Sequence, residues 1–313
     1  MSILNNILLQ IFRLPEFKYN KEIINSKYIY AFKSATKNCN DKNNKMRENI
    51  VGAILNNKVP ADYYIIKAWN HIKKQVFTYI QTLDDKPYTK IECLHKGGRK
   101  YNYDFNIVFH DTTPRKYNIE LKFNASTIDD APQFVSPMKP SQYMSQSYEN
   151  YYYAHYLPQL SEKTGFPLPS LAEYVSQIHG NKPSCMKLYQ DLYYCGCSQS
   201  SKFTNNATDI EFYEFAKSVS NESITKFIQE TDLNIEMMTD YLQNTQKDKI
   251  YMLYNGVRFI LQHVNMDDYK IESVVKNPEK FRYECVTKSG KKMNILLRWK
   301  NGNGIAFPAF QIS

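Results

Sequence analysis

The sequence predicts an α+β protein: a mixed β-sheet flanked by helices, with a helical insert late in the chain and β-strands at its C-terminus. Three patterns carry this expectation. Residues 101–124 alternate apolar and polar side chains on either side of a turn-rich centre, as an antiparallel hairpin does. Residues 45–57 and 61–83 carry apolar side chains at helical spacing ahead of that hairpin. From residue 281 onward, short alternating runs return, separated by turns that contain glycine.

Composition narrows the class of partner. Lys and Arg outnumber Asp and Glu by 40 to 31, a net charge of +9, which favours polyanions such as nucleic acid. The abundance of Asn, Lys, Ile and Tyr is equally what an AT-rich genome produces. No run approaches the roughly 18 apolar residues that span a bilayer. The patch Ile7–Phe12 has no basic leader or cleavage site and reads as part of an amphipathic helix. An intracellular protein, in cytoplasm or nucleus, is expected. The six cysteines (39, 93, 185, 195, 197 and 285) are scattered, which suits free thiols in a reducing compartment. Their late C-x9-C-x-C spacing fits neither an iron–sulfur pattern nor a zinc ribbon.

Residues 34–45 are polar and read as a loop. The helix that follows, about Lys45 to Asn57, has a wide apolar arc made by Met46, Ile50, Val51, Ala53, Ile54 and Leu55, with Glu48 at its edge. A second helix from Ala61 to about Leu83 carries Trp69, and Ile91–Leu94 reads as a first strand. Between that strand and the hairpin, the Gly97-Gly98 turn is flanked by Lys96, Arg99 and Lys100. These are candidate phosphate contacts, or simply a solvated basic turn.

In the hairpin, Phe105, Ile107 and Phe109 share an apolar face with Tyr117, Ile119, Leu121 and Phe123. With the turn centred near Thr113, Asp104 lies across from residues 120–122. Cross-strand partners stand roughly 4.5–5.5 Å apart on one face, so Asp104, Glu120 and Lys122 should converge. Such charges need solvent or a partner, and a hard cation suits them. Mg²⁺ takes one or two carboxylates and completes its shell with water and phosphate oxygens. Lys122 is placed to hold a water attacking phosphorus.

Asp104, fifteen intervening residues and then Glu120-Leu121-Lys122 resemble the D…ExK signature of the PD-(D/E)XK nuclease superfamily, which includes many restriction endonucleases. Tyr103 stands where the superfamily's name has proline, and the match covers about 25 of the 313 residues. The resemblance implies a restriction-endonuclease-like sheet and a Mg²⁺-dependent DNA endonuclease, with Mn²⁺ as a substitute, that leaves 5′-phosphates. It assigns Asp104 and Glu120 to the metal and Lys122 to the water or to charge balance. It makes Glu48 the candidate for a further acid from an N-terminal helix. A glutamine after the ExK strand has a role in parts of the superfamily, and Gln133, Gln142 and Gln146 are the alternatives. On this reading residues 1–160 hold the N-terminal helices and nuclease core, 161–255 a helical segment, and 256–313 a basic β-hairpin region of the same body. A homodimer is compatible with it.

After Lys122, the prolines and acids of residues 124–140 indicate a loop. Ser141–Tyr156 reads as a Tyr-rich helix with Gln142 and Gln146 one turn apart, its rings serving either packing or base stacking. Ser170–Glu173 and Thr208–Glu211 fit capping boxes. Residues 221–255 read as helical. At the C-terminus no acid follows Glu284, while Lys288, Lys291, Lys292, Arg298 and Lys300 are basic, which suits a nucleic-acid surface beside Trp299. The ending from Leu297 to Ile312 is also similar, more loosely, to endings of some restriction-type endonucleases. The readings from other classes are a nucleic-acid-binding protein on a non-catalytic nuclease-like scaffold, a structure-selective or repair nuclease, and an interaction scaffold.

Overall fold

The computed structural model describes residues 14–33, 40–96, 101–130, 133–135, 142–165, 167–178, 207–298 and 309–312. Strands β1 (Phe17–Tyr19) and β2 (Glu22–Ile24) precede helices α1 (Asn40–Leu55) and α2 (Lys67–Leu83). Next come β3 (Lys90–His95), β4 (Phe105–His110), β5 (Arg115–Phe123) and the short β6 (Gln133–Val135). Helices α3 (Tyr148–His155), α4 (Leu157–Thr164), α5 (Leu171–Ile178), α6 (Ala207–Glu230) and α7 (Ile235–Gln246) follow. The chain continues through β7 (Lys249–Tyr254), β8 (Phe259–His263), β9 (Ile271–Asn277), β10 (Arg282–Thr287), β11 (Lys292–Arg298) and β12 (Ala309–Ile312). Two compact units result: Met1–Ala131 with Gln246–Val264, and Pro132–Thr245 with Asn265–Ser313.

The first unit is built on a five-stranded mixed sheet in the order β3-β4-β5-β7-β8. Its pairings are antiparallel except β5 with β7, which run parallel. The β4–β5 register sets Phe105 opposite Ile119 and Ile107 opposite Tyr117, as the alternation predicts. This apolar face, with Phe109 and Leu121, joins one core with Ile50, Val51 and Ile54 of α1 and Trp69, Ile72, Val76 and Ile80 of α2. Removing that much apolar surface from water supplies the main drive for the unit to fold. On the other face a smaller cluster forms from Ala125, Ile128, Tyr251 and Leu253. A mixed sheet flanked by helices is a generic nuclease-like layout.

Two local expectations change. The helical reading of residues 221–255 fails at Lys249, where the chain becomes strand β7, paired to both β5 and β8. Tyr251, Met252, Leu253 and Tyr254 are all buried, so the run shows no two-residue period to mark it as a strand. Ahead of β5, the region 61–83 is a short 3₁₀ turn, Ala61–Ile65, and then α2, with Ile66 extended between them.

The second unit carries a five-stranded sheet in the order β6-β12-β11-β10-β9, antiparallel throughout. Helix α3 starts only at Tyr148, where the Ser147 side chain accepts the N–H of Asn150. Residues 143–147 before it form bends and no helix, with Met144 bridging Leu233 and the Ser145 N–H donating to Asp232 O. Gln142 and Gln146 are therefore not one helical turn apart. Among the tyrosines, packing prevails: Tyr148 and Tyr152 are buried, and the Tyr148 hydroxyl shares a 2.7 Å hydrogen bond with Ser223 Oγ. The Ser170 hydroxyl accepts the N–H of Glu173, as the capping-box pattern predicts. Among the described residues, no helix is long and apolar enough to cross a membrane.

Candidate active site

Asp104 stands one residue before β4, and its main chain is held from both sides. Its N–H donates to Ile119 O at 3.0 Å, and its carbonyl accepts the Lys96 N–H at 2.8 Å. These bonds extend the Phe105–Ile119 pairing by one step and bring Asp104 level with Glu120. The side chain then folds across the hairpin, and Oδ2 accepts the Leu121 N–H at 2.8 Å. Glu120 and Lys122 project from the same strand face because successive side chains alternate sides.

Glu120 is bracketed by two ammonium groups. Lys122 Nζ lies 2.5 Å from Oε1, and Lys249 Nζ lies 3.8 Å from Oε2. Lys249 comes from the first position of β7, where the parallel register sets it opposite Asn118 and sets Tyr251 opposite Glu120. The side chains of Glu120 and Lys122 are 13% and 27% exposed, so the group is largely withdrawn from water yet still reachable.

The charges are in tension. Burial, and then the Glu120 carboxylate, push Asp104 up to about 7; the Leu121 N–H, Lys122 and Lys249 pull the other way. Burial, and then Asp104 and Glu120, push Glu48 of α1 up to about 8 against the opposing pull of Lys122 and Lys45. Lys122 is itself opposed by burial, but Glu120, Asp104 and Glu48 outweigh that and hold its ammonium above the ordinary range. Burial lowers Lys249, which the acids only partly offset. Three acids thus feel one another's charge, and two of them are raised.

Among the described residues, no group of three or more His, Cys, Asp or Glu side chains stands close enough to hold a metal ion. Mg²⁺ asks for less, since one or two carboxylates suffice beside water and phosphate oxygens. The oxygen-only pair Asp104 and Glu120 fits that demand, and a divalent charge would relieve the repulsion between them.

The remaining expected contacts are dispersed. Lys96 is joined to Asp104 through its backbone, and its Nζ lies 5.2 Å from the centre of the Tyr101 ring. Arg99, Lys100 and Lys300 lie outside the described residues, as do Cys39, Cys185, Cys195, Cys197 and the N-terminal segment 1–13. In the second unit Gln142 is exposed, and Gln146 donates to Thr231 Oγ1 at 2.5 Å. The late lysines are not of one sign in space. Lys288 pairs with Asp267 at 3.2 Å and Lys291 with Asp268 at 3.6 Å, acids that come from an earlier turn. Lys292 is exposed where β11 begins, and Arg298 ends that strand. Cys93 and Cys285 are buried free thiols.

One residue of the site and one beside it in sequence escape a reading of the sequence. Lys249 joins from a strand far along the chain, and its only signal is a lysine heading an apolar run. Arg47, beside Glu48, is 1% exposed, with its guanidinium 4.7 Å from the centre of the Phe123 ring. Its position inside the apolar arc of α1 was the available signal. Comparison of the chain with protein-family models, with curated proteins and with solved structures finds no match.

Proposed function

We propose that this chain is a Mg²⁺-dependent DNA endonuclease that hydrolyses phosphodiester bonds by a PD-(D/E)XK-type mechanism, restriction-like in kind. The observation that supports the reading most is the hairpin itself. Its register aligns Asp104 with Glu120-Leu121-Lys122, and a main-chain N–H from that strand fixes the Asp104 carboxylate.

Asp104 and Glu120 would hold the cation, which when bound offsets the charge of the scissile phosphate. Lys122, about a quarter exposed and reaching Glu120, would turn its ammonium to the attacking water and to the charge that builds on the phosphate oxygens. Glu48 stands behind the pair as an auxiliary acid. Lys96, tied to Asp104 through the backbone, is a candidate contact for a phosphate of the strand.

A second reading, a nucleic-acid-binding protein on a non-catalytic scaffold, draws on the ammonium groups flanking both oxygens of Glu120. Supercoiled plasmid incubated with Mg²⁺ or Mn²⁺ separates the two. On the first reading the wild type nicks or linearises it, fragment ends carry 5′-phosphates, and Asp104→Ala, Glu120→Ala and Lys122→Ala each lose at least about 100-fold in rate. Plasmid that is retarded in a gel but stays intact with either cation would favour the second.

A further inference from the structure

Lys249 is not needed for the D…ExK pattern, yet it is among the most enclosed charged groups of the first unit, with a side chain only 6% exposed. An enclosed ammonium is costly unless an acid answers it. Here the acid is Glu120, at 3.8 Å, a separation too long for a hydrogen bond, so the coupling acts through charge. Its Nζ also lies 5.6 Å from the centre of the Tyr251 ring.

The two lysines differ in freedom. Lys122 is 27% exposed and can swing away from Glu120 toward solvent or substrate. Lys249 begins a strand paired on both sides, and its side chain is only 6% exposed. A cation arriving at Glu120 can therefore displace the first ammonium but must share the carboxylate with the second.

Building on the nuclease reading above, we infer that Lys249 is a positioning residue that acts through Glu120: a fixed internal cation that competes with the divalent ion and sets how much of it the site requires. In its absence Glu120 is held by Lys122 alone and offers its second oxygen without opposition.

The test is direct Mn²⁺ binding to the full chain, read as free Mn²⁺ by electron paramagnetic resonance. Circular dichroism checks the fold of each variant. Lys249→Met and Lys249→Gln should bind Mn²⁺ about tenfold more tightly than the wild type, as expected when a like charge leaves a partly buried site. Lys249→Arg, which restores the charge, should return to the wild-type affinity. Neutral variants that bind as the wild type does, or more weakly, overturn the inference while leaving the metal site standing. Absence of Mn²⁺ binding in the wild type and every variant overturns the nuclease reading and this inference together. Loss of fold in both neutral variants also overturns it, by making Lys249 a structural cation.

Discussion

The main-chain N–H of Leu121 donates to Oδ2 of Asp104 over 2.8 Å, across the mouth of the hairpin. The donor is backbone, so the bond survives any change of side chain at 121 except to proline and depends on strand register. It fixes one carboxylate oxygen between the positions of Glu120 and Lys122 and leaves the second for another partner. A one-residue slip would turn Glu120 and Lys122 to the apolar face and dissolve the site. The large core beneath the hairpin, anchored by Phe105 and Ile119, is what prevents that slip.

Asp104→Asn should trade activity for stability. Asparagine can still accept the Leu121 N–H, but it cannot supply the anion. The raised value of about 7 for Asp104, against about 4 in an unfolded chain, means the folded state binds the extra proton between those limits. The wild type is therefore relatively most stable below about pH 4 and loses that share as pH rises through 7. Without divalent metal, the variant should exceed the wild type by about 2–4 kcal/mol at pH 8, keep about a third of that advantage at pH 5 and lose it only below about pH 4. Cleavage should fall by at least about 10³-fold. Calorimetry in chelator at the two pH values checks it, and a variant less stable than the wild type at pH 8 counts against the strain.

How far the sequence leads depends on which faces meet water. Phe105, Ile107 and Phe109 are buried in the core while Asn106 and His110 on the other side of β4 are only half-buried, so strand and register were both legible. Strand β7 is covered on both sides, which erases the alternation, and its parallel pairing with β5 has no local signature. Lys249 was lost with it. Glu48 was legible as an arc-edge residue, but its closeness to Asp104 is a product of how α1 packs. The Tyr-rich stretch misled for another reason: Ser147 is a good N-cap, and it starts the helix after both glutamines.

Arg47 should prove more than a surface arginine of α1. Its Nε donates to Ala31 O and its Nη1 to Asn44 Oδ1, each at 2.7 Å, while the guanidinium faces the Phe123 ring. Because Arg47 adjoins Glu48 and Phe123 adjoins Lys122, this contact ties α1 at Glu48 to β5 at Lys122. Arg47→Met should cost about 2–4 kcal/mol, since buried acceptors lose a charged donor. Arg47→Lys should recover little, because an ammonium has no planar face to stack. Urea unfolding of both variants tests it, and wild-type stability in the lysine variant would discard the stacking argument.

Gly52 should resist substitution although it lies inside a helix. Alanine there would ordinarily gain about 1 kcal/mol of helix propensity. Here a Cβ would fall almost onto His95 Nε2 and within 2.6 Å of Tyr19 Oη. Neither ring is free to retreat. The His95 ring is wedged against Tyr19 and Phe105, and the Tyr19 hydroxyl accepts Asn56 Nδ2 at 2.8 Å. Gly52→Ala should therefore lower stability by about 1–3 kcal/mol, the usual cost of overpacking. A denaturation midpoint at or above the wild-type value would show that α1 can shift away from β3.

Glu48→Gln distinguishes an auxiliary acid from a primary ligand. Burial and the charges of Asp104 and Glu120 hold Glu48 up near 8, so without metal it keeps its proton at pH 7 and gives it up as pH rises. Glutamine imitates the protonated form at every pH. At pH 7 the two proteins should therefore bind Mn²⁺ within about threefold of each other, and by pH 9 the wild type should lead by about tenfold, the weight of one pKa unit. A ratio that stays constant from pH 7 to pH 9 would place Glu48 outside the cation's reach. A large gap already present at pH 7 would make it a ligand equal in rank to Asp104.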